Sequence, residues 1–129
     1  MIHENQLRPG ELIAEVRVPR LPWARRSTYL KIRDRDSYEF ALTSAAVALD
    51  VDGDKIRDIR IAVGGVGTKP WNLPKVQEAL AGKPLKQETF AAAAKLAVDG
   101  ANPLRHNGFK VDLVQQTIVR ALMNLGDLT

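Results

Sequence analysis

Ser44-Ala45-Ala46-Val47-Ala48-Leu49-Asp50-Val51-Asp52-Gly53-Asp54-Lys55-Ile56-Arg57-Asp58-Ile59-Arg60-Ile61-Ala62-Val63 is the stretch that decides the fold. Ala45, Val47, Leu49 and Val51 fall at every second position, the signature of a strand with one buried face. Asp52-Gly53-Asp54 then reads as a tight hairpin turn, because glycine reaches positive φ without a Cβ penalty. The return strand repeats the alternation, with Ile59, Ile61 and Val63 on one face and Arg60 and Ala62 on the other. Ile56 is out of phase with Ile59, which predicts a bulge near Arg57.

Upstream of this hairpin, two more alternations predict two more strands. Leu12 to Val18 places Leu12, Ala14, Val16 and Val18 on one side, with Glu15 and Arg17 on the other. Pro19 and Pro22 end it, since proline cannot donate to a ladder. Thr28 to Arg33 places Leu30 and Ile32 on one side, with Tyr29, Lys31 and Arg33 opposite. Four strands adjacent in sequence, two of them joined by a tight turn, predict an antiparallel sheet with one covered face.

Downstream, Gly64-Gly65-Val66-Gly67 ends the sheet and the period changes to that of helices. Asn72 and Pro74 open a short helix to about Ala81, carrying Val76, Ala79 and Leu80 on one face and stopped by Gly82 and Pro84. A second helix over about Glu88–Asp99 has the stripe Phe90, Ala93, Ala94, Ala97 and Val98, closed by Gly100. Asn107 can cap a third, running from about Gly108 to Leu125. Its Val111, Val114, Ile118, Ala121, Leu122 and Leu125 recur at i, i+3, i+7, i+10, i+11 and i+14, the strongest helical period in the chain. Strands followed by helices predict an α+β domain: an antiparallel sheet of three to four strands, packed on one face by about three helices. A length of 129 residues suits a single domain over 1–129.

Composition removes several kinds of chemistry. There is no cysteine, which excludes disulfides, thiolate metal sites, iron–sulfur ligation and a cysteine nucleophile. Only His3 and His106 could supply imidazole, so a histidine-rich metal site is excluded too. Apolar residues at 45% and charged residues at 26% give the balance of a folded soluble protein, not a disordered one. Even the greasiest stretch, Phe40 to Leu49, is far short of the roughly 18–20 apolar residues that span a bilayer. His3, Glu4 and Asn5 stand where a signal peptide would be basic and then apolar, so a cytoplasmic chain is expected unless a partner's export signal carries it to the periplasm.

The net charge of +4 is concentrated in one segment. Between Arg17 and Arg35 lie Arg17, Arg20, Arg25, Arg26, Lys31, Arg33 and Arg35 against a single acid, Asp34. Such a segment is either a solvated face or a surface that attracts phosphates, carboxylates or an acidic partner. It offers Trp23 and Tyr29 but no recognition helix and no RNA-stacking aromatic pattern, which disfavours nucleic acid. No metalloprotease, P-loop, nucleophile-elbow or EF-hand spacing occurs, and nothing points to paired catalytic carboxylates. The Gly64–Gly67 run can present amides to an anion, but a bend at a sheet end is the commoner use of such a run. His106, beside Asn107 and Gly108, reads as an exposed or capping residue. No catalytic residue and no metal ligand emerges.

Several stretches, in order, carry a resemblance. They are Leu7-Arg8-Pro9-Gly10-Glu11-Leu12-Ile13, Tyr29-Leu30-Lys31-Ile32-Arg33-Asp34-Arg35, Ser37-Tyr38-Glu39-Phe40-Ala41 and Arg60 through Trp71 with its Gly64-Gly65-Val66-Gly67-Thr68-Lys69-Pro70. Together they resemble the C-terminal domain of the FAD-binding medium subunit of molybdenum hydroxylases, a family that includes carbon monoxide dehydrogenase flavoprotein, xanthine dehydrogenase and aldehyde oxidoreductase. The run from Phe109 to Leu122 resembles that domain's last helix. Arg25-Arg26-Ser27-Thr28-Tyr29-Leu30-Lys31-Ile32-Arg33 is most similar to the aldehyde oxidoreductase branch.

The resemblance implies a flavoprotein oxidoreductase part that is not catalytic alone. In such complexes a molybdopterin large subunit oxidises an aldehyde or purine-type substrate, an iron–sulfur small subunit relays electrons, and FAD passes them to an acceptor. The resemblance implies that this domain helps close the FAD site beside an N-terminal FAD-binding domain and docks the partner subunits. Since the chain reaches Leu7-Arg8-Pro9-Gly10 so early, that N-terminal domain is expected to lie outside it, the chain being a truncated piece or a separately encoded half. The resemblance also assigns two FAD contacts, Lys31 and Ile13. A cation near the isoalloxazine stabilises negative charge on the reduced ring, and an aliphatic side chain packs on its plane. Arg33 and Arg35 share the parity of Lys31 and suit an acidic partner surface. The competing reading is a flavin-free interaction module, an adapter with the same fold.

Overall fold

The computed structural model describes residues 5–126, so His3 lies outside the described residues. The hairpin forms as its sequence predicts. β2 (Thr43–Asp52) and β3 (Lys55–Gly64) pair antiparallel around Gly53 at φ 60°. Their register shifts between Asp50↔Asp58 and Val51↔Ile56, leaving Arg57 as the extra residue of a bulge. The Arg57 guanidinium uses that displaced position to make a bidentate contact with the Asp50 carboxylate, at 2.7 and 2.9 Å.

β1 (Ser27–Ile32) adds to the outer side of β2, and the two-residue β4 (Trp71–Asn72) to the outer side of β3, in the order β1-β2-β3-β4. All neighbours are antiparallel. The expected strand at Leu12–Val18 does not form. Among the described residues that segment has no ladder partner, and Leu12, Ile13, Val16 and Val18 are 89%, 69%, 81% and 83% exposed. Its alternation is genuine, but a strand also needs a neighbour for its N–H and C=O groups, and no strand among the described residues pairs with it. The fourth strand is instead β4, too short to show any period.

Three helices cover one face of the sheet. α1 (Pro74–Leu80) begins at its proline and stops before Gly82, at φ 73°. α2 (Gln87–Ala94) tightens into a 3-10 turn over Lys95–Val98, so the expected single helix to Asp99 is a helix plus a tighter last turn. α3 (Phe109–Gly126) lies along β2 and β1. The Asn107 side chain does not cap it: its Oδ1 accepts the Leu104 N–H at 2.6 Å, and its backbone carbonyl accepts the Lys110 N–H at 3.0 Å.

The core lies between the two layers. Ala45, Val47, Leu49, Ile59, Ile61 and Val63 from the sheet meet Val76, Leu80, Phe90, Ala94, Val114, Ile118, Ala121 and Leu122 from the helices, all buried. Alanine at 93, 94 and 121 lets α2 and α3 approach closely. Polar contacts tie α3 to the sheet and to the segment that leads into β1. Thr43 and Thr117 share a buried hydroxyl contact at 2.7 Å, and the Arg26 guanidinium donates to the Leu125 carbonyl at 3.0 and 3.2 Å, near the C-terminal end of α3. Cations at that end of a helix also complement its dipole.

Candidate functional site

The helices leave the other face of the sheet uncovered. Strand parity puts three rows of side chains there: Lys31, Ser44 and Gly64; Tyr29, Ala46, Ala62 and Asn72; Ser27, Ala48 and Arg60. The centre of this face is built from small residues. The fit at Gly64 is tight, since a Cβ there would stand 2.7 Å from Ser44 Oγ. Small residues flanked by larger ones make a trough, and its two walls come from connecting loops.

One wall is the β1–β2 connection. The Glu39 carboxylate accepts the backbone N–H groups of Asp34 and Arg35, both at 3.0 Å, and the Arg35 guanidinium donates to the Tyr38 carbonyl at 2.6 Å. This knot holds Tyr38 at φ 52°, a conformation that costs an L-residue free energy and must be held by its surroundings. It presents Phe40, 95% exposed, at the rim. The other wall is the β3–β4 connection, where Gly65 at φ 74° lies against the Leu42 and Ala41 carbonyls and Pro70 lines the edge. Together they enclose a cavity of about 450 Å³, lined by Tyr29, Lys31, Phe40, Ala46, Gly64 and Pro70 among others. At the far end of the open face, Arg60 lies over the Trp23 ring, 5.8 Å from its centroid.

Lys31 lies in the side of this trough, half-buried. The ion pairs among the described residues are Glu15–Arg17, Asp50–Arg57, Asp58–Arg60 and Lys75–Asp99, and Lys31 belongs to none of them. Its charge is therefore available to whatever fills the trough. Ile13 is not brought to it: it stands in the exposed segment before β1 and lines neither cavity. Arg33 and Arg35 are exposed beyond the end of β1, and Arg35 is engaged by Tyr38. The carboxylates with shifted ionisation stand elsewhere. A hydrogen bond from Arg57 holds Asp50 below the usual carboxylate range, and one from Lys75 does the same for Asp99.

A second cleft of about 510 Å³ opens on the helix side, between the Gly65–Trp71 connection, the Ala97–Leu104 segment and the start of α3. Val66, Trp71, Val98, Leu104 and Val111 line it, and Lys110 Nζ closes one side by donating to the Gly65 carbonyl at 2.6 Å. The Gly64–Gly67 run thus acts as a bend between the two cavities. Gly67 allows Trp71 to pack against it, since a Cβ would meet the indole nitrogen at 2.7 Å.

Sequence reasoning placed Lys31 on the uncovered face but missed the trough around it. Tyr29 shares the parity of Lys31 and was legible on that ground. Phe40, Ala41 and Pro70 reach the site through loops, for which periodicity gives no signal.

A four-stranded antiparallel sheet, packed by helices on one side and hollowed into a cation-flanked trough on the other, defines a two-layer α+β domain whose second sheet face is open. The family model of the CO dehydrogenase flavoprotein C-terminal domain matches residues 28–125. The chain belongs to that family, the C-terminal domain of the FAD-binding medium subunit of molybdenum hydroxylases. Among its relatives, the aldehyde oxidoreductase FAD-binding subunit PaoB of Escherichia coli is 37% identical over 120 residues, covering 92% of this chain and 34% of that one. The glyceraldehyde dehydrogenase medium chain of Sulfolobus acidocaldarius is 33% identical over 94 residues, covering 73% and 33%. A carbon monoxide dehydrogenase from Hydrogenophaga pseudoflava, solved without the molybdenum-pyranopterin moiety, superposes with a TM-score of 0.71 at 26% identity, over 78% of this chain and 36% of that one. The chain thus spans about one third of the length of these relatives. Among the described residues, no helix is long and apolar enough to cross a membrane.

Proposed function

We propose that this chain forms one side of the FAD site of a molybdenum-hydroxylase medium subunit, the other side coming from an N-terminal FAD-binding domain. The observation that carries the reading is Lys31: an ammonium outside the ion pairs of the described residues, beside a trough floored by Ala46, Ala62 and Gly64. When bound there, FAD would take electrons from an iron–sulfur small subunit served by a molybdopterin large subunit and pass them to an acceptor. The residues of this chain hold and bias the flavin and perform no bond chemistry. The small side chains admit a flat ring system close to the sheet, and the aromatic rim of Tyr29 and Phe40 excludes water from its edge. The Lys31 charge favours whichever flavin state carries more negative charge. Ile13 completes the contact set once the segment before β1 is brought to the flavin. Aldehyde-type oxidation is the favoured chemistry of the parent complex, on the names of the two relatives above. Its compartment is the cytoplasm, or the periplasm where a partner's export signal carries the assembly.

The test is Lys31→Ala in the assembled flavoprotein. The lysine points away from the core, so the substitution leaves the stability of this chain within about 0.5 kcal/mol, as surface changes do. Flavin affinity, or the flavin midpoint potential, falls by the equivalent of about 1–3 kcal/mol, the worth of one charged contact. Unchanged affinity and unchanged potential would show Lys31 to be a solvated strand residue.

A further inference from the structure

β2 carries two consecutive hydroxyls, one on each face of the sheet. Thr43 faces the helices, where its Oγ1 meets Thr117 Oγ1 at 2.7 Å. Ser44 faces the other way, opposite Lys31 on β1 and Gly64 on β3. It is only 5% exposed, yet its hydroxyl enters no side-chain hydrogen bond among the described residues. No sealed side-chain polar atom of those residues lacks a partner, so the Ser44 hydroxyl opens on the trough that Ser44 lines. An enclosed donor without a protein partner costs free energy until water or a ligand meets it.

The surroundings fix where that hydroxyl stands. A Cβ on Gly64 would lie 2.7 Å from Ser44 Oγ, so the glycine leaves free the space beside the hydroxyl. Gly65, next along, packs at φ 74° against the Leu42 and Ala41 carbonyls, which draws the ends of the two strands together around Ser44. The neighbouring floor residues, Ala46 and Ala62, have no side chain that can hydrogen-bond. Lys31, across from Ser44, lies outside the ion pairs of the described residues. The trough thus has an apolar floor with a fixed hydroxyl and an ammonium side by side at one end. A few convergent polar groups in an otherwise apolar pocket are what orient a ligand. An ammonium has three donors and no acceptor, so Lys31 cannot take the Ser44 proton. That proton is left for an acceptor in the trough.

We infer that Ser44 is a flavin-binding residue whose hydroxyl donates to a carbonyl oxygen on the pyrimidine edge of the ring system, and that this bond sets which way round the ring enters the trough. The inference rests on the flavin-site reading given above and deepens it by naming a second contact and the ring edge it selects. The pyrimidine edge offers two carbonyl oxygens to the two donors. The opposite, dimethylbenzene edge offers none, and a ring entering by that edge would leave the Ser44 proton and the Lys31 ammonium both unmet, which opposes it. Alanine at 44 would keep the flat floor and lose this choice.

The experiment measures flavin dissociation constants in the assembled flavoprotein for wild type, Ser44→Ala, Ser44→Cys and Lys31→Ala. Each binds FAD and two thio analogues, in which one or the other pyrimidine carbonyl oxygen is replaced by sulfur, a weaker acceptor. Ser44→Ala is expected to weaken FAD about tenfold, the equivalent of about 1.4 kcal/mol and within the range of one neutral hydrogen bond. That penalty is expected to shrink to within about twofold with one thio analogue and to persist with the other. The urea midpoint of the chain should not move, since no protein partner is lost. Where Ser44→Ala fails to fold, Ser44→Cys, of similar shape but with a weaker donor, is read in the same way. FAD affinity unchanged in both Ser44 variants overturns the inference. So does an equal penalty with both analogues, which would mark an altered trough rather than a lost bond. Binding weakened by Lys31→Ala alone leaves the flavin site standing and removes the hydroxyl from it. Binding unchanged in all three variants removes the flavin from this face, and the inference with it.

Discussion

Thr117→Val removes one hydroxyl from a two-hydroxyl contact whose proton direction the structure determines. Thr117 Oγ1 donates its single proton to the Leu113 carbonyl at 2.7 Å, one turn back on α3. The 2.7 Å contact with Thr43 must then run the other way, from Thr43 Oγ1 to Thr117 Oγ1. Both residues are buried, Thr43 at 0% and Thr117 at 2% exposure. The two single substitutions are therefore unequal. Thr117→Val strands the Thr43 proton in the core, and an unmet buried donor costs about 1–3 kcal/mol. Thr43→Val leaves Thr117 still bonded to Leu113 and loses only an ordinary hydrogen bond, about 0.5–1.5 kcal/mol. Replacing both removes donor and acceptor together and costs less than Thr117→Val alone. At about 4 °C per kcal/mol for a chain of this size, Thr117→Val lowers Tm by about 8 °C and Thr43→Val by about 4 °C. Thermal and urea unfolding of the four proteins gives the cycle directly. Equal single losses, a larger loss for Thr43→Val, or additive costs in the double variant would refute the proton assignment.

Gly65→Ala loses more stability than Gly53→Ala: both sit at positive φ, but only at Gly65 does the new Cβ meet backbone, at 2.7 Å from the Leu42 carbonyl. Urea midpoints should show a cost above about 2 kcal/mol at Gly65 and about 1 kcal/mol at Gly53. Acid unfolding should depend on Asp50 and Asp99, whose folded pKa values lie below the ordinary value near 3.8. Between the folded and unfolded pKa values the unfolded chain binds more protons, so their contribution is complete above about pH 4 and is lost as pH falls through the folded pKa. Asp50→Asn and Asp99→Asn should flatten stability against pH below about pH 4, while equal acid slopes in wild type and variants would remove both pairs from the account. The chain alone should melt in one cooperative transition, because sheet and α3 bury each other's apolar faces. A broad melt with strong dye binding would show that the open face needs its cover before the core is stable.

What the sequence made legible follows from which groups each residue meets. The β2–β3 hairpin, its bulge at Arg57 and the α3 stripe were readable because each pairs a local period with a single burial face. The end of α2 was not, because the switch to a 3-10 turn at Lys95 changes the hydrogen-bond spacing without changing the alanine pattern. β4 escaped notice because two residues carry no period, although Trp71 and Asn72 complete the sheet through Val63 and Ala62. The capping role given to Asn107 failed for a local reason: its carboxamide is used by the Leu104 N–H, one turn before the helix.

The arm at 12–18 and the trough at Lys31 expose one limit of reading periods. Alternation records that a strand has two unlike sides and is silent on whose sheet receives it. Leu12–Val18 alternates as cleanly as Ser44–Val51, yet one segment is exposed along its length and the other carries the core. The difference lies in the neighbours. β2 finds β1 and β3 within this chain, whereas the arm finds no ladder among the described residues. Lys31 stands on the same ground from the opposite side. Its parity places it away from the core, and an uncovered sheet face floored by alanine, serine and glycine has little apolar bulk of its own to bury. A face so built gains from a flat partner and loses little without one. The exposed arm and the open trough are thus alike in one respect: each presents groups that no element among the described residues covers.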